Sequence, residues 1–157
     1  MTLIQATLGH TPVDLLITNS QVVNVLTGEI YPADIAIYDQ HIAAVEAPNT
    51  LPRRQARRVL DAAGQLAVPG FIDSHLHIES ALVTPGPFAE AVLRRGVTTV
   101  AEDPHEIANA TGLNGMKHFL AASRDLPLTV LFLVSTCVPA AVGLEHCRGE
   151  LGPDEIG

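Results

Sequence analysis

The 157-residue chain carries 9 basic and 17 acidic residues, a net charge of −8, and is 47% hydrophobic with a mean hydropathy of +0.27. That apolar content excludes an intrinsically disordered polymer, and the acidic balance excludes nucleic acid as a bulk partner. No apolar run reaches the roughly 18 residues of a membrane span and the N-terminus lacks a basic-then-apolar signal layout, so no membrane partner is expected.

The first 68 residues read as a β-domain. Asp14 to Val25 (DLLITNSQVVNV) is rich in aliphatic and β-branched residues, with a turn expected at Asn19-Ser20. Thr27-Gly28-Glu29 is a second turn, and Ala33 to Tyr38 alternates with Ile35 and Ile37 on one face, the mark of a half-buried strand. Asp39-Gln40 turns the chain into a partner strand, His41 to Val45, and Val59–Asp61 and Leu66–Val68 make two more short strands. Short strands with punctual turns predict a small β-sandwich. The run Arg53-Arg54-Gln55-Ala56-Arg57-Arg58 is read as a solvated edge or loop face.

From Pro69-Gly70 the pattern changes. Phe71–His77 reads as a strand and Pro87–Arg95 as a helix with Phe88, Ala91 and Val92 on one side and Gly96 as its cap. Val97–Ala101 reads as a buried strand, and Gly112–Leu126 as a helix stopped by Pro127. The apolar stretch Leu126–Val134 then holds a third, buried strand. Strand, helix, strand, helix, strand is the βαβ rhythm of a parallel sheet. The stretch 69–157 is about a third of the roughly 250 residues of a (β/α)8 barrel. The chain is therefore expected to be the N-terminal part of a longer protein, inactive alone.

Seven histidines stand in this acidic chain, and two of them, His75 and His77, lie two apart in P-G-F-I-D-S-H-L-H. Residues two apart on a strand point to one face, so both imidazoles can reach one cation. Asp103, His105 and Glu106 share the loop after the second strand. Asp103 is placed either as a helix N-cap ahead of Pro104 or beside the metal. His105 and Glu79 are the candidate catalytic residues, contacting substrate or the metal ligands. Cys137 reads as a buried small hydrophobe, and Cys137 and Cys147 imply no disulfide framework, which fits a reducing cytoplasm. His118 and His146 read as surface residues. H-I-E lacks the P-C-x-x-C of zinc nucleoside deaminases, and H-E-I-A-N ends in Asn where H-E-x-x-H needs His.

P-G-F-I-D-x-H-x-H after a small β-domain resembles the first-strand motif of the metal-dependent amidohydrolase superfamily. His77-Ile78-Glu79-Ser80, Asp103-Pro104-His105-Glu106-Ile107-Ala108-Asn109 and Cys137-Val138-Pro139-Ala140, in that order, resemble the bacterial adenine deaminases within it, as does V-V-N-V-x-T-G-E-I near the start. The chain departs at Ala81-Leu82, where that family has Ser-Met. The resemblance implies a β-sandwich over 1–68 and the first three βα units of a (β/α)8 hydrolase barrel over 69–157. It implies hydrolytic deamination of adenine to hypoxanthine and ammonia in purine salvage. His75 and His77 would hold a divalent metal, manganese or iron with zinc as the alternative, in a mono- or binuclear site. The remaining ligands and the acid/base set are expected beyond residue 157, and the full-length enzyme is expected to be a homo-oligomer. The alternatives are another amidohydrolase acting on a cyclic amide, and a non-catalytic truncated product.

Overall fold

In the computed structural model, residues 2–51, 55–135, 137–144 and 146–156 are described. The chain divides into two compact units, Met1–Pro69 and Gly70–Gly157.

The first unit opens with a short helix, α1 (Leu3–Thr7), where the sequence pattern predicts only strands. Five residues are too few to show a helical period, and α1 owes its place to packing. Ala6 is buried against Val13, Leu16, Ala36 and Ala43, and the Thr7 hydroxyl donates to the Ala43 carbonyl at 3.0 Å. Five strands follow: β1 (Val13–Val23), β2 (Ile30–Tyr38), β3 (His41–Glu46), β4 (Ala56–Asp61) and β5 (Leu66–Ala67). They form one sheet in the order β3-β2-β1-β4, with β5 also on β1; the described strands do not make two facing sheets. β1 pairs antiparallel with β2 and parallel with β4 and β5.

Asn19-Ser20 is not a turn. β1 runs through it as a bulge, with the register shifting between Ile17 and Ser20 and Asn19 at φ 57°. Asn tolerates this left-handed conformation, and the Ser20 hydroxyl locks the bulge by donating to the Ala33 carbonyl at 2.6 Å. The Asp39-Gln40 turn forms as expected, with Asp39 at φ 55°. β2 is buried on both faces from Ala33 to Ala36 and lacks the predicted alternation. Asp34, 2% exposed, accepts the Asn19 and Asn49 backbone N–H groups at 3.1 and 2.8 Å, which satisfies its buried charge. Arg57 and Arg58 of the basic run are exposed on β4, while Arg53 and Arg54 lie outside the described residues.

The second unit is a parallel sheet, β6 (Phe71–Leu76), β7 (Val97–Glu102) and β8 (Thr129–Phe132), in that order. α2 (Pro85–Leu93) links the first two strands. It buries Ala89, with Phe88 and Val92 partly covered; Ala91 is exposed, because the helix begins at Pro85 and turns Ala89 onto Val100 and Leu128. Gly96 takes φ 87° after it, as a helix-ending glycine does. Between β7 and β8 run two helices, α3 (His105–Thr111), which the sequence pattern does not predict, and α4 (Leu113–Ala122), the helix expected from Gly112, with Gly112 at φ 66°, ψ −155° as the elbow. α4 ends well before Pro127, at Ser123, whose hydroxyl donates to the Phe119 carbonyl at 2.9 Å. β8 is not a buried strand: Val130 and Phe132 are partly covered, while Leu131 is 53% exposed, because β8 is an outer strand of this sheet. A short helix, α5 (Pro153–Ile156), lies near the end. No helix among the described residues is long and apolar enough to cross a membrane.

Candidate metal centre and active site

Two adjacent parallel strands, β6 and β7, end side by side, Leu76 opposite Glu102. The Asp103 N–H donates to the Leu76 carbonyl at 3.0 Å and the Leu133 N–H to the Glu102 carbonyl at 2.8 Å, so all three strand ends are tied together. Functional side chains gather where the strands stop, as the loop ends of parallel sheets allow.

The structure brings His75 and His77 together although the β6–β7 register is irregular between Asp73 and Leu76. Their rings stand 5.0 Å apart at 86°, and His105 meets His77 at 4.6 Å and 87°. His77 Nδ1 lies 2.6 Å from the Asp103 carbonyl oxygen. A carbonyl only accepts, so Nδ1 carries the hydrogen and Nε2 keeps its lone pair for a ligand. His75, His77 and Asp103 offer ligand atoms all within 4.8 Å of one another, and His77, His105 and Glu106 do the same. Asp103 Oδ1 is buried without a hydrogen-bond partner, as is His105 Nδ1. Imidazole nitrogens and a carboxylate oxygen converging on a spot with unpartnered acceptors fit a divalent cation. Asp103 does not cap a helix: α3 starts after Pro104 with no side-chain cap bond, and it is the Asp103 backbone carbonyl that accepts from His105 N–H, at 2.9 Å.

Around this cluster run three glutamates. Glu79 lies in a 3-10 turn (Glu79–Ala81) just after the histidines, and its Oε1 accepts the Ile107 N–H of α3 at 3.2 Å. Glu106 accepts from the Ser80 hydroxyl, and its Oε2 lies 3.3 Å from His77 Nδ1 and 3.8 Å from His105 Nδ1. Burial pushes the Glu106 carboxyl up. The bonds from Ser80, from its own backbone N–H and with Glu79, together with the electrostatic pull of the neighbouring His77 ring, outweigh that and hold it below the ordinary carboxylate range. Glu102 closes the chain of acids from below. Its side chain is fully buried, and Oε2 accepts the Ile78 N–H at 2.9 Å. Burial, reinforced by its hydrogen bond with Glu79, raises its pKa from 4.5 to about 9, against the pull of the Ile78 bond.

Of the four site residues expected from the sequence, His75, His77 and His105 come together ring to ring, while Glu79 lies next to them in the chain and is tied to α3 through the Ile107 N–H. Ser80 and Glu102 are the members that motif reading misses. The only trace of Glu102 in the sequence is an acid at the end of the otherwise uncharged run Val97–Ala101. Cys137 is exposed, not buried, because the chain has left β8 by then; Ser135 Oγ lies 3.3 Å from its sulfur. His118 and His146 are exposed, the first on α4.

The chain is 46% identical over 142 residues to "adenine deaminase 2" of Rhizobium johnstonii and 44% identical over 154 residues to an adenine deaminase of Moorella thermoacetica. These matches cover 90% and 98% of this chain but 24% and 26% of those proteins, so the chain spans about a quarter of their length. A zinc complex of an atrazine chlorohydrolase mutant from Arthrobacter aurescens superposes with a TM-score of 0.57 at 25% identity, covering 76% of this chain and 35% of that one. Residues 66–154, more than half of the sequence and the whole of the histidine-bearing sheet, match the amidohydrolase family, and the chain belongs to that family.

Proposed function

We propose that the full-length protein hydrolyses adenine to hypoxanthine and ammonia, and that this chain supplies the first part of its metal site. The observation that carries the proposal is the His75–His77–Asp103 group at the end of β6 and β7, in a chain about 45% identical to proteins named adenine deaminase. In this reading Phe71–Leu76, Val97–Glu102 and Thr129–Phe132 open a (β/α)8 barrel over 69–157, and the sheet of 1–68 is part of a β-sandwich.

His75 and His77 would hold a divalent cation, with manganese or iron favoured and zinc as the alternative carried by the chlorohydrolase likeness. A cation held there supplies Lewis acidity and brings the pKa of water toward neutrality. The chain's own residues do the rest. The Asp103 carbonyl fixes the His77 tautomer that presents Nε2. His105 and Glu79, on facing loops, are placed to orient the purine or to carry a proton from water toward the leaving amine. Glu106, kept ionised, places a negative charge beside the His77 and His105 rings. The reading extends to a cytoplasmic purine-salvage enzyme acting as a homo-oligomer, with which the free Cys137 and Cys147 are compatible.

The test is ammonia release from adenine by the full-length protein with manganese or iron supplied, beside a His75→Ala, His77→Ala double variant. Loss of both activity and bound metal in the variant is expected. A folded, metal-loaded wild type that leaves adenine intact overturns the substrate, and ring opening of a cyclic amide in its place identifies the alternative hydrolase.

A further inference from the structure

α3 has a second neighbour besides the histidines. The chain that leaves β8 folds back over it: the Arg148 and Gly149 N–H groups donate to the Asn109 carbonyl at 2.8 and 3.0 Å, and the Leu151 N–H donates to the Val138 carbonyl at 2.8 Å. Val138 is buried with Ala108 of α3 and Met116 of α4. Gly149 lies so close that a Cβ there would stand 1.9 Å from the Ala108 carbonyl oxygen. Between α3 and this returning segment is a hollow of about 340 Å³, lined by Glu106, Asn109, Ala110, His146 and Cys147. Backbone bonds hold its walls, so little ordering is left for a ligand to impose.

Glu106 belongs to both places. Its Oε2 lies 3.3 Å from His77 Nδ1, so the hollow adjoins the histidine group. Asn109 stands three residues further along α3, about 4.5 Å along the helix axis. Its Oδ1 is enclosed without a hydrogen-bond donor. An amide oxygen left so calls for a donor from outside the chain, and the soft terminal torsion of asparagine lets the amide turn toward one. Adenine reacts at C6. The edge across the ring from C6, made of N3 and N9–H, presents an acceptor and a donor side by side. A carboxamide presents the matching donor and acceptor. A nucleoside carries its sugar on N9 and lacks that edge.

We infer that Asn109 is a specificity-determining residue: its amide holds the N3/N9–H edge of the free base in this hollow, with C6 toward His75 and His77, and so selects adenine over its nucleoside. The inference rests on the reading that adenine is the substrate.

The experiment uses the metal-loaded full-length protein, wild type and Asn109→Ala. The substrates are adenine, 9-methyladenine, which lacks the N9–H, and 3-deazaadenine, which lacks N3. Asn109→Ala is expected to lower kcat/KM on adenine at least about tenfold, mostly through KM, with metal content unchanged. The preference for adenine over each analogue, taken as a ratio of kcat/KM, is expected to fall at least about fivefold in the variant, because the missing substrate atom and the missing side chain report the same bond. A loss of structure would weaken all three substrates alike and leave those ratios standing. A smaller fall in the ratios overturns the inference, whatever the activity on adenine. Where the wild type leaves adenine intact, the substrate reading fails by itself, and calorimetric binding of adenine decides the contact. An affinity lowered at least about fivefold by Asn109→Ala sustains it; a smaller loss, or no binding, overturns it. Where Asn109→Ala does not fold, Asn109→Asp takes its place. It keeps the acceptor for N9–H and loses the donor for N3, so only the 3-deazaadenine ratio is expected to fall, and two unchanged ratios overturn the inference.

Discussion

Gly115 lies buried in the first turn of α4, facing α3, and replacing it with alanine sets two effects of known size against each other. Alanine is favoured over glycine inside a helix by about 1 kcal/mol. A Cβ at this position, however, would overlap Thr111 Oγ1 outright and stand 3.0 Å from both Ile107 Cγ1 and the Ile107 carbonyl oxygen. Thr111 cannot yield freely, since its hydroxyl donates to that same carbonyl at 2.8 Å. Displacing it forfeits a hydrogen bond worth about 1 kcal/mol, and overpacking adds about 1–3 kcal/mol. Gly115→Ala is therefore expected to destabilise the chain by about 1–3 kcal/mol net. In a Thr111→Ala background the main overlap is gone, and Gly115→Ala is expected to be neutral or stabilising, a coupling of at least about 1 kcal/mol. Urea denaturation of the four proteins, followed by circular dichroism, measures the cycle. Additive effects, or a Gly115→Ala variant that is stabilising by itself, would show that α3 and α4 are not packed this closely.

Two further outcomes follow from buried carboxyls. Asp34→Ala strips the acceptor from the Asn19 and Asn49 N–H groups and is expected to cost about 2–4 kcal/mol in urea denaturation; a loss under about 0.5 kcal/mol refutes the clamp. In the metal-free chain, Glu102 keeps its proton up to about 9 when folded but loses it near 4.5 when unfolded. Its contribution to stability is thus full below 4.5 and is lost as pH rises through about 9. Glu102→Gln should flatten the fall in stability across that window, and a slope unchanged by the substitution would show that the buried acid does not hold its proton.

How much of this was legible depends on the reach of the signal. Paired histidines at the end of a strand, the Asp39-Gln40 turn and the parallel rhythm after Pro69 are local patterns, and the structure repeats them. Asn19-Ser20 has turn chemistry, but Ser20 finds the Ala33 carbonyl across the sheet and the strand continues. The helix expected from Gly112 forms as α4, but α3 before it is not expected, because Asp103 to Asn109 reads as a loop and only the elbow at Gly112 separates the two helices. Glu102 was not legible as a site residue, because what gives it meaning, the Ile78 N–H and Glu79, lies in the loop after the preceding strand. The exposure of Cys137 likewise depends on where β8 stops, and an apolar stretch does not mark its own end.

The bonds that assemble the candidate site link residues only 24 to 28 apart: Ile78 to Glu102, His77 to Asp103, Ser80 to Glu106 and Glu79 to Ile107. Contacts of such short range close quickly, since the entropy of closing a loop grows with its length. The histidine pair, its tautomer-fixing carbonyl and the acids behind it can therefore take shape as soon as β6, α2, β7 and the first turn of α3 have been made. On the ribosome, this corner would be the earliest part of the second unit to acquire its final form, and later elements would dock onto an arrangement already set.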